Sequence, residues 1–143
     1  MQKEVNRMSN EKLFPKSYQK NPFMDYNHIE ICEVSLDHSL LKATITPESK
    51  NPYGMLHGGL IYTMLDCVAG ITARADGNDY VTQNVYVNYM SNVNNQDEVF
   101  AESEVIRRGK TVTVVHAFVR TEDGRILATA EVNMFRVEIE SKA

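Results

Sequence analysis

The sequence predicts an α+β domain in which one long apolar helix lies against a curved antiparallel sheet. Three observations carry this. Two short alternating segments come first, residues 58–75 are almost all apolar or small, and about four more alternating segments follow. At 143 residues the chain is the size of one domain. Its 43% hydrophobic and 24% charged residues are near globular averages, which excludes wholesale disorder.

Residues 1–25 are polar, mixed in charge and interrupted by Pro15 and Pro22. They are expected to form an N-terminal extension, docked loosely and with a short helix after Ser9, ahead of a folded domain over residues 26–140. His28 to Leu36 reads as a strand. Leu41, Ala43 and Ile45 alternate with Lys42, Thr44 and Thr46, the period-two pattern of a half-buried strand, and Asp37-His38 marks the hairpin between the two. Pro47 to Tyr53 is a loop.

The helix is expected from Gly58 to Ala75. It has no proline and few β-branched residues, and Gly77 follows as a stop. Apolar almost all round, such a helix needs cover on most sides. Asp66 interrupts its most apolar run, which is too short to span a bilayer.

After the helix the chain reads as a meander. Tyr80 to Met90 alternates, with Val81, Val85 and Val87 against Thr82, Asn84 and Asn88. Val99 to Arg108 follows the loop NVNNQDE, and Gly109 turns the chain into Thr111 to Thr121. Asp123-Gly124 is a hairpin signal. On the last strand Ile126, Ala128, Ala130, Val132 and Met134 share a face, and the small residues let a helix approach closely. One helix on one sheet leaves the other sheet face and the edges open, so a symmetric dimer is expected.

A net charge of −4 argues against nucleic acid as the main partner. Cys32 and Cys67 make neither a disulfide framework nor a zinc site and are expected to be buried thiols in a reducing compartment, the cytoplasm. No secretory signal is visible. His28, His38, His57 and His116 have no metal-ligand spacing with the cysteines, and no metal or redox cofactor is implied.

The segment with chemical content is Asn51-Pro52-Tyr53-Gly54-Met55-Leu56-His57-Gly58-Gly59, followed by Asp66. Paired glycines at a helix start admit two readings. One is a bare backbone where a carbonyl oxygen can meet unpaired N–H groups, an oxyanion hole in outline. The other is an eased turn or close helix–sheet packing. A lone carboxylate on an apolar helix is costly unless solvated, hydrogen-bonded or functional. His57 is a general base or a loop anchor. Asn51 orients a water or carbonyl, or stabilises the turn before Pro52. Thr82 carries no signal of its own. Arg107, Arg108 and Lys110 about Gly109 are candidate phosphate contacts or ordinary surface cations.

Spacing adds a geometric constraint. Gly58 and Asp66 are eight residues apart, about 12 Å along a helix axis. One small reacting centre cannot touch both on a single chain. Two such helices running antiparallel across a two-fold axis would let the start of one face the middle of the other, giving a shared site.

The order N-x-x-G-x-x-H-G-G-x-x-x-x-x-x-D, from Asn51 to Asp66, resembles the hotdog-fold acyl-CoA thioesterases, and within them the phenylacetyl-CoA thioesterase-like branch. Asn88-Tyr89-Met90-Ser91, Arg108-Gly109-Lys110, Asp123-Gly124 and Ala128-Thr129-Ala130 are similar to that branch too, so the likeness runs from about Asn21 to Val137. It implies a long central helix wrapped by an antiparallel sheet of five to six strands, in a dimer or a dimer of dimers. It implies hydrolysis of an aryl- or fatty-acyl-CoA to free acid and CoA at a site shared between subunits, without nucleic acid or membrane. Asp66 would be the catalytic base or nucleophile, the Gly58 N–H would polarise the carbonyl, and Gly59 would be a substrate-binding residue beside it. Asn51 would place water or carbonyl, His57 would hold the loop and assist near the carbonyl, and Thr82 would help position water. A non-catalytic acyl-CoA binder on the same fold is the alternative, and a hotdog dehydratase a third reading.

Overall fold

The computed structural model describes residues 2–140, with side chains from Met8 onward. Helix α1 spans Gln2–Leu13 and α2 spans Pro22–Tyr26. Strands β1 (Ile29–Val34) and β2 (Ser39–Thr44) form the first hairpin, and a short 3-10 turn covers Pro47–Ser49. The central helix α3 runs from Gly58 to Arg74. Then come β3 (Asp79–Tyr89), β4 (Glu98–Arg108), β5 (Val112–Arg120) and β6 (Ile126–Val137).

The six strands form one sheet in the order β1-β2-β4-β5-β6-β3, every pair antiparallel. A four-strand meander after the helix is therefore corrected. Only β4, β5 and β6 run as one, while β3 crosses to the far edge beside β6 and β4 pairs with β2. The eight residues between β3 and β4 are too many for a tight hairpin, and their asparagine-rich run lacks strand alternation.

Alternation on the strands builds the core. Val115, Ala117 and Val119 on β5, Leu127, Ala128, Ala130, Val132 and Met134 on β6, and Val99 and Ala101 on β4 are all buried. Against them α3 lays Leu60, Ile61, Met64, Leu65, Val68 and Ile71, none more than 7% exposed. Each such side chain contributes roughly 2 kcal/mol relative to leaving it in water. The small Ala117, Ala128 and Ala130 leave room for the helix, as the sequence predicts.

The N-terminal segment is held more firmly than a loose extension. Ser17 is buried and its hydroxyl donates to the Ile71 carbonyl at 2.6 Å. Arg74 Nε donates to the Lys16 carbonyl, Lys16 pairs with Asp79 at 3.1 Å, and Met24 is buried. Helix α1 begins at Gln2 rather than after Ser9. Cys32 is exposed on β1, where the sequence reading expected a buried thiol: it sits at the bulge that shifts the β1–β2 register. No described helix is long and apolar enough to cross a membrane.

Candidate functional site

The loop into α3 is organised by Asn51. Its Oδ1 accepts from the backbone N–H of Tyr53 at 2.9 Å and of Met55 at 3.0 Å. Gly54 closes the turn at a φ of 78°, a conformation that favours glycine. The amide oxygen is thereby committed to the loop, and the Nδ2 donors are what Asn51 has left to offer.

His57 is the N-cap of α3, its Nδ1 accepting from the Gly59 N–H at 2.8 Å. A ring nitrogen that accepts carries no proton, so in the neutral ring the proton sits on Nε2. The cap gives Gly59 a structural reason to be glycine, while its backbone also lines a cleft at the start of α3. A Cβ at position 59 would lie 2.9 Å from His57 Nδ1, too close for the cap to survive.

Gly58 differs. Its carbonyl accepts from the Tyr89 hydroxyl at 2.8 Å, and a Cβ there would meet the Tyr89 ring at 3.4 Å, ordinary contact. The fold does not require glycine at position 58. Its N–H is the first of the helix and has no partner one turn back. Burial, and after it Tyr62, pushes the Tyr89 phenol above its ordinary range, so the hydroxyl stays protonated and donates. Tyr89 was missed as a site residue by sequence reasoning, where it is one more position at the end of an alternating strand. Asn51, Gly58, Gly59, Tyr89, Met90 and Ser91 face one open cleft of about 570 Å³.

Two turns along the same helix, Asp66 is half-buried and accepts at Oδ1 a 2.6 Å hydrogen bond from Thr82 Oγ1. Thr82 lies on β3, next to the irregularity between Thr82 and Asn84 in the β3–β6 ladder. A bulge on a strand re-aims its side chains, and here the hydroxyl meets the helix. Cys67 sits alongside, its thiol pushed up to about 12 by burial first and then by the Asp66 charge, which keeps it a neutral thiol.

Within one chain the two groups do not meet. The cleft gathers Asn51, Gly58, Gly59 and Tyr89, while His57 caps the helix next to Gly58 without lining the cleft and Asp66, bonded to Thr82, stands about 12 Å further along the helix. Gly59, Tyr62, Thr63, Asp66 and Cys67 lie on a face of α3 that nothing in this chain fully covers.

The basic cluster divides. Arg108 turns inward, donating to the Ala73, Thr72 and Leu36 carbonyls at 2.8–3.1 Å and to Asp76 at 3.0 Å. It caps the C-terminus of α3. Arg107 and Lys110 are exposed.

The model of the thioesterase superfamily matches residues 53–128, more than half of the 143. The chain belongs to the thioesterase superfamily. A curated protein of Saccharolobus solfataricus, named only provisionally as an esterase, is 28% identical over 122 residues, 84% of each chain. The solved structure of a hypothetical thioesterase of Streptococcus pneumoniae with coenzyme A is 26% identical, with a TM-score of 0.74 over 81% of this chain and 94% of that one. The PaaI protein of the E. coli phenylacetic acid degradation operon, 16% identical, overlays with a TM-score of 0.83 over 90% of this chain and 94% of its own. The superfamily and the hotdog fold implied by the residue pattern are thus borne out.

Proposed function

We propose that this thioesterase-superfamily chain hydrolyses acyl-CoA thioesters at a site completed by two copies of itself. The observation that carries the reading is a single helix with an unpartnered N–H at a cleft and a hydrogen-bonded carboxylate two turns on, too far apart to serve one centre in one chain. The pneumococcal relative with coenzyme A supports the substrate class. That protein has also been solved as an aspartate-to-alanine and a threonine-to-alanine variant sixteen positions apart, the separation of Asp66 and Thr82 (82 − 66).

In this reading the thioester carbonyl points at the Gly58 N–H, at the positive end of α3. His57 Nε2–H and the Asn51 Nδ2 donors are the further groups able to donate to that oxygen or to a water. From the other subunit, Asp66 takes a proton from water as its oxygen bonds to the carbonyl carbon, or attacks the carbon itself. The Thr82 bond occupies one carboxylate oxygen and leaves the other for this work. As the C–S bond breaks, the sulfur of CoA leaves with the electron pair and takes the proton that Asp66 removed from water. On the direct-attack route water then cleaves the acyl-aspartyl anhydride to free acid and carboxylate, and its proton goes to the thiolate. Val81, Tyr86, Tyr89 and Met90, exposed on and just beyond the edge strand β3, supply the apolar surface for pairing with a second copy, in a dimer or tetramer. Arg107 and Lys110 are candidate contacts for CoA phosphates.

The test is release of free CoA thiol from a panel of aryl-, medium-chain and long-chain acyl-CoAs, with wild type and Asp66→Asn compared as folded oligomers. Turnover that disappears in the variant supports the reading. Turnover that survives removes Asp66 from the chemistry, and binding of acyl-CoA without thiol release by wild type makes the protein a binder.

A further inference from the structure

A second cleft adjoins the one at the helix start. The Met90 and Ser91 N–H groups donate to the Leu127 carbonyl at 2.8 and 3.0 Å. On the other side the Leu56 N–H donates to the Val93 carbonyl, and Asn92 Nδ2 to the Leu56 carbonyl, both at 3.1 Å. Residues 91–93 are thereby clamped between the loop before α3 and the start of β6. Beyond them lies a polar cleft of about 240 Å³, walled by Asn94, Asn95 and Gln96 on one side and by Asp123 and Arg125 of the β5–β6 hairpin on the other. Asn92 lines both clefts. Arg125 Nη2 donates to Ser91 Oγ, and Ser91 lines the helix-start cleft, so the guanidinium lies beside the 91–93 segment that borders both clefts.

We propose that the nucleotide end of the substrate leaves the helix-start cleft along this path, with the Arg125 guanidinium meeting its phosphates. The inference rests on the acyl-CoA reading. A CoA thioester is a reactive carbonyl joined through a flexible amide-bearing arm to a nucleotide with several phosphate charges. A carbonyl held at Gly58 requires an exit for that arm. The asparagine-rich wall offers amide donors and acceptors without charge, and Arg125 is the only cation among the residues lining either cleft. Asp123 is the only carboxylate there, and its Oδ1 is engaged by the Thr121 hydroxyl.

The cations near Gly109 are placed differently in this chain. Arg108 is committed to carbonyls at the far end of α3, fifteen residues or about 22 Å from Gly58. Lys110 lines a separate shallow hollow with Arg136. Within one subunit, Arg125 is the cation that lies beside the cleft holding Gly58.

The experiment compares Arg125→Gln, Arg125→Lys and Lys110→Gln. Calorimetry reads binding of free CoA and of 3′-dephospho-CoA. Thiol release reads KM on an acyl-CoA and on the matching N-acetylcysteamine thioester, which has no phosphate. Arg125→Gln is expected to weaken CoA binding and raise the acyl-CoA KM about tenfold, the scale of one lost charge-assisted hydrogen bond. Arg125→Lys is expected to retain most of the affinity, and the truncated thioester to be indifferent to both changes. CoA binding unchanged in Arg125→Gln but weakened in Lys110→Gln overturns the proposal, as does an equal loss on both substrates. Calorimetry is independent of turnover, so Arg125-dependent CoA binding without thiol release would uphold this inference while removing hydrolysis.

Discussion

Thr82 Oγ1 donates a 2.6 Å hydrogen bond to Asp66 Oδ1, tying the edge strand β3 to the middle of α3. The bond fixes one carboxylate oxygen and so orients the other. Removing the hydroxyl with Thr82→Val is expected to lower kcat by about 10- to 100-fold, the scale of a hydrogen bond to a charged group, with KM little changed. Thr82→Ser keeps the donor and is expected to stay within a few-fold of wild type. Steady-state thiol release reads both. Equal rates for the valine and serine variants would remove Thr82 from the chemistry.

The two glycines of the HGG run separate by the same logic. At Gly58 a methyl group meets only the Tyr89 ring at 3.4 Å, so Gly58→Ala is expected to fold and melt like wild type. The methyl would stand beside the N–H that the proposed oxyanion needs, and kcat is expected to fall by about 10²-fold or more, the scale of a lost oxyanion donor. At Gly59 the methyl would displace the His57 ring, so Gly59→Ala is expected to lose the N-cap and about 1 kcal/mol of stability. Thermal melts beside the thiol assay check the contrast. A Gly58→Ala protein as active as wild type would end the claim that this backbone faces substrate.

How far the sequence carried these assignments depended on the kind of signal. Strand-like segments and the proline-free apolar run were enough for all six strands and α3 within a few residues. The partner of β3 was not legible, because alternation says which face is buried and nothing about which strand lies alongside. The Asn51-to-Asp66 pattern marked the site, yet the Tyr89 hydrogen bond to Gly58 joins residues 31 positions apart, and no local spacing encodes it. Arg107, Arg108 and Lys110 look alike in sequence. Only the tertiary fold shows that Arg108 faces the carbonyls at the end of α3.

Burial raises the Cys67 thiol to about 12, so at pH 8 the thiolate is about one part in 10⁴. Iodoacetamide is therefore expected to leave Cys67 unmodified in the folded protein and to alkylate it once the chain is unfolded. Mass spectrometry of peptides after timed labelling reads the site directly. Equal rates in the folded and unfolded states would contradict the half-buried neutral thiol described above.

The Arg108 cap sets an acid limit on stability. Burial alone would raise Asp76, but the Tyr80 hydroxyl at 2.6 Å, Asn78 and the Arg108 guanidinium outweigh it and hold the carboxyl below the ordinary 3.8. A carboxyl with a depressed value in the folded state contributes stability that is complete above its unfolded value and is lost as pH falls through the folded one. Wild type is therefore expected to keep its Tm from pH 7 down to about 5 on this account and to lose stability below about pH 4. Asp76→Asn keeps the shape without the charge. It is expected to melt lower than wild type at pH 7, with the gap closing as pH drops through that acid window. Glu102, also held low against burial by Arg120 and His38, contributes to acid sensitivity in both proteins and cancels in the difference. Arg108→Met should lose about 2 kcal/mol at neutral pH, since the last carbonyls of α3 lose their donors along with the ion pair. Melts of the three proteins between pH 2 and 7 decide the matter: a gap between wild type and Asp76→Asn that is constant with pH would show that the carboxylate charge is not what holds the end of α3.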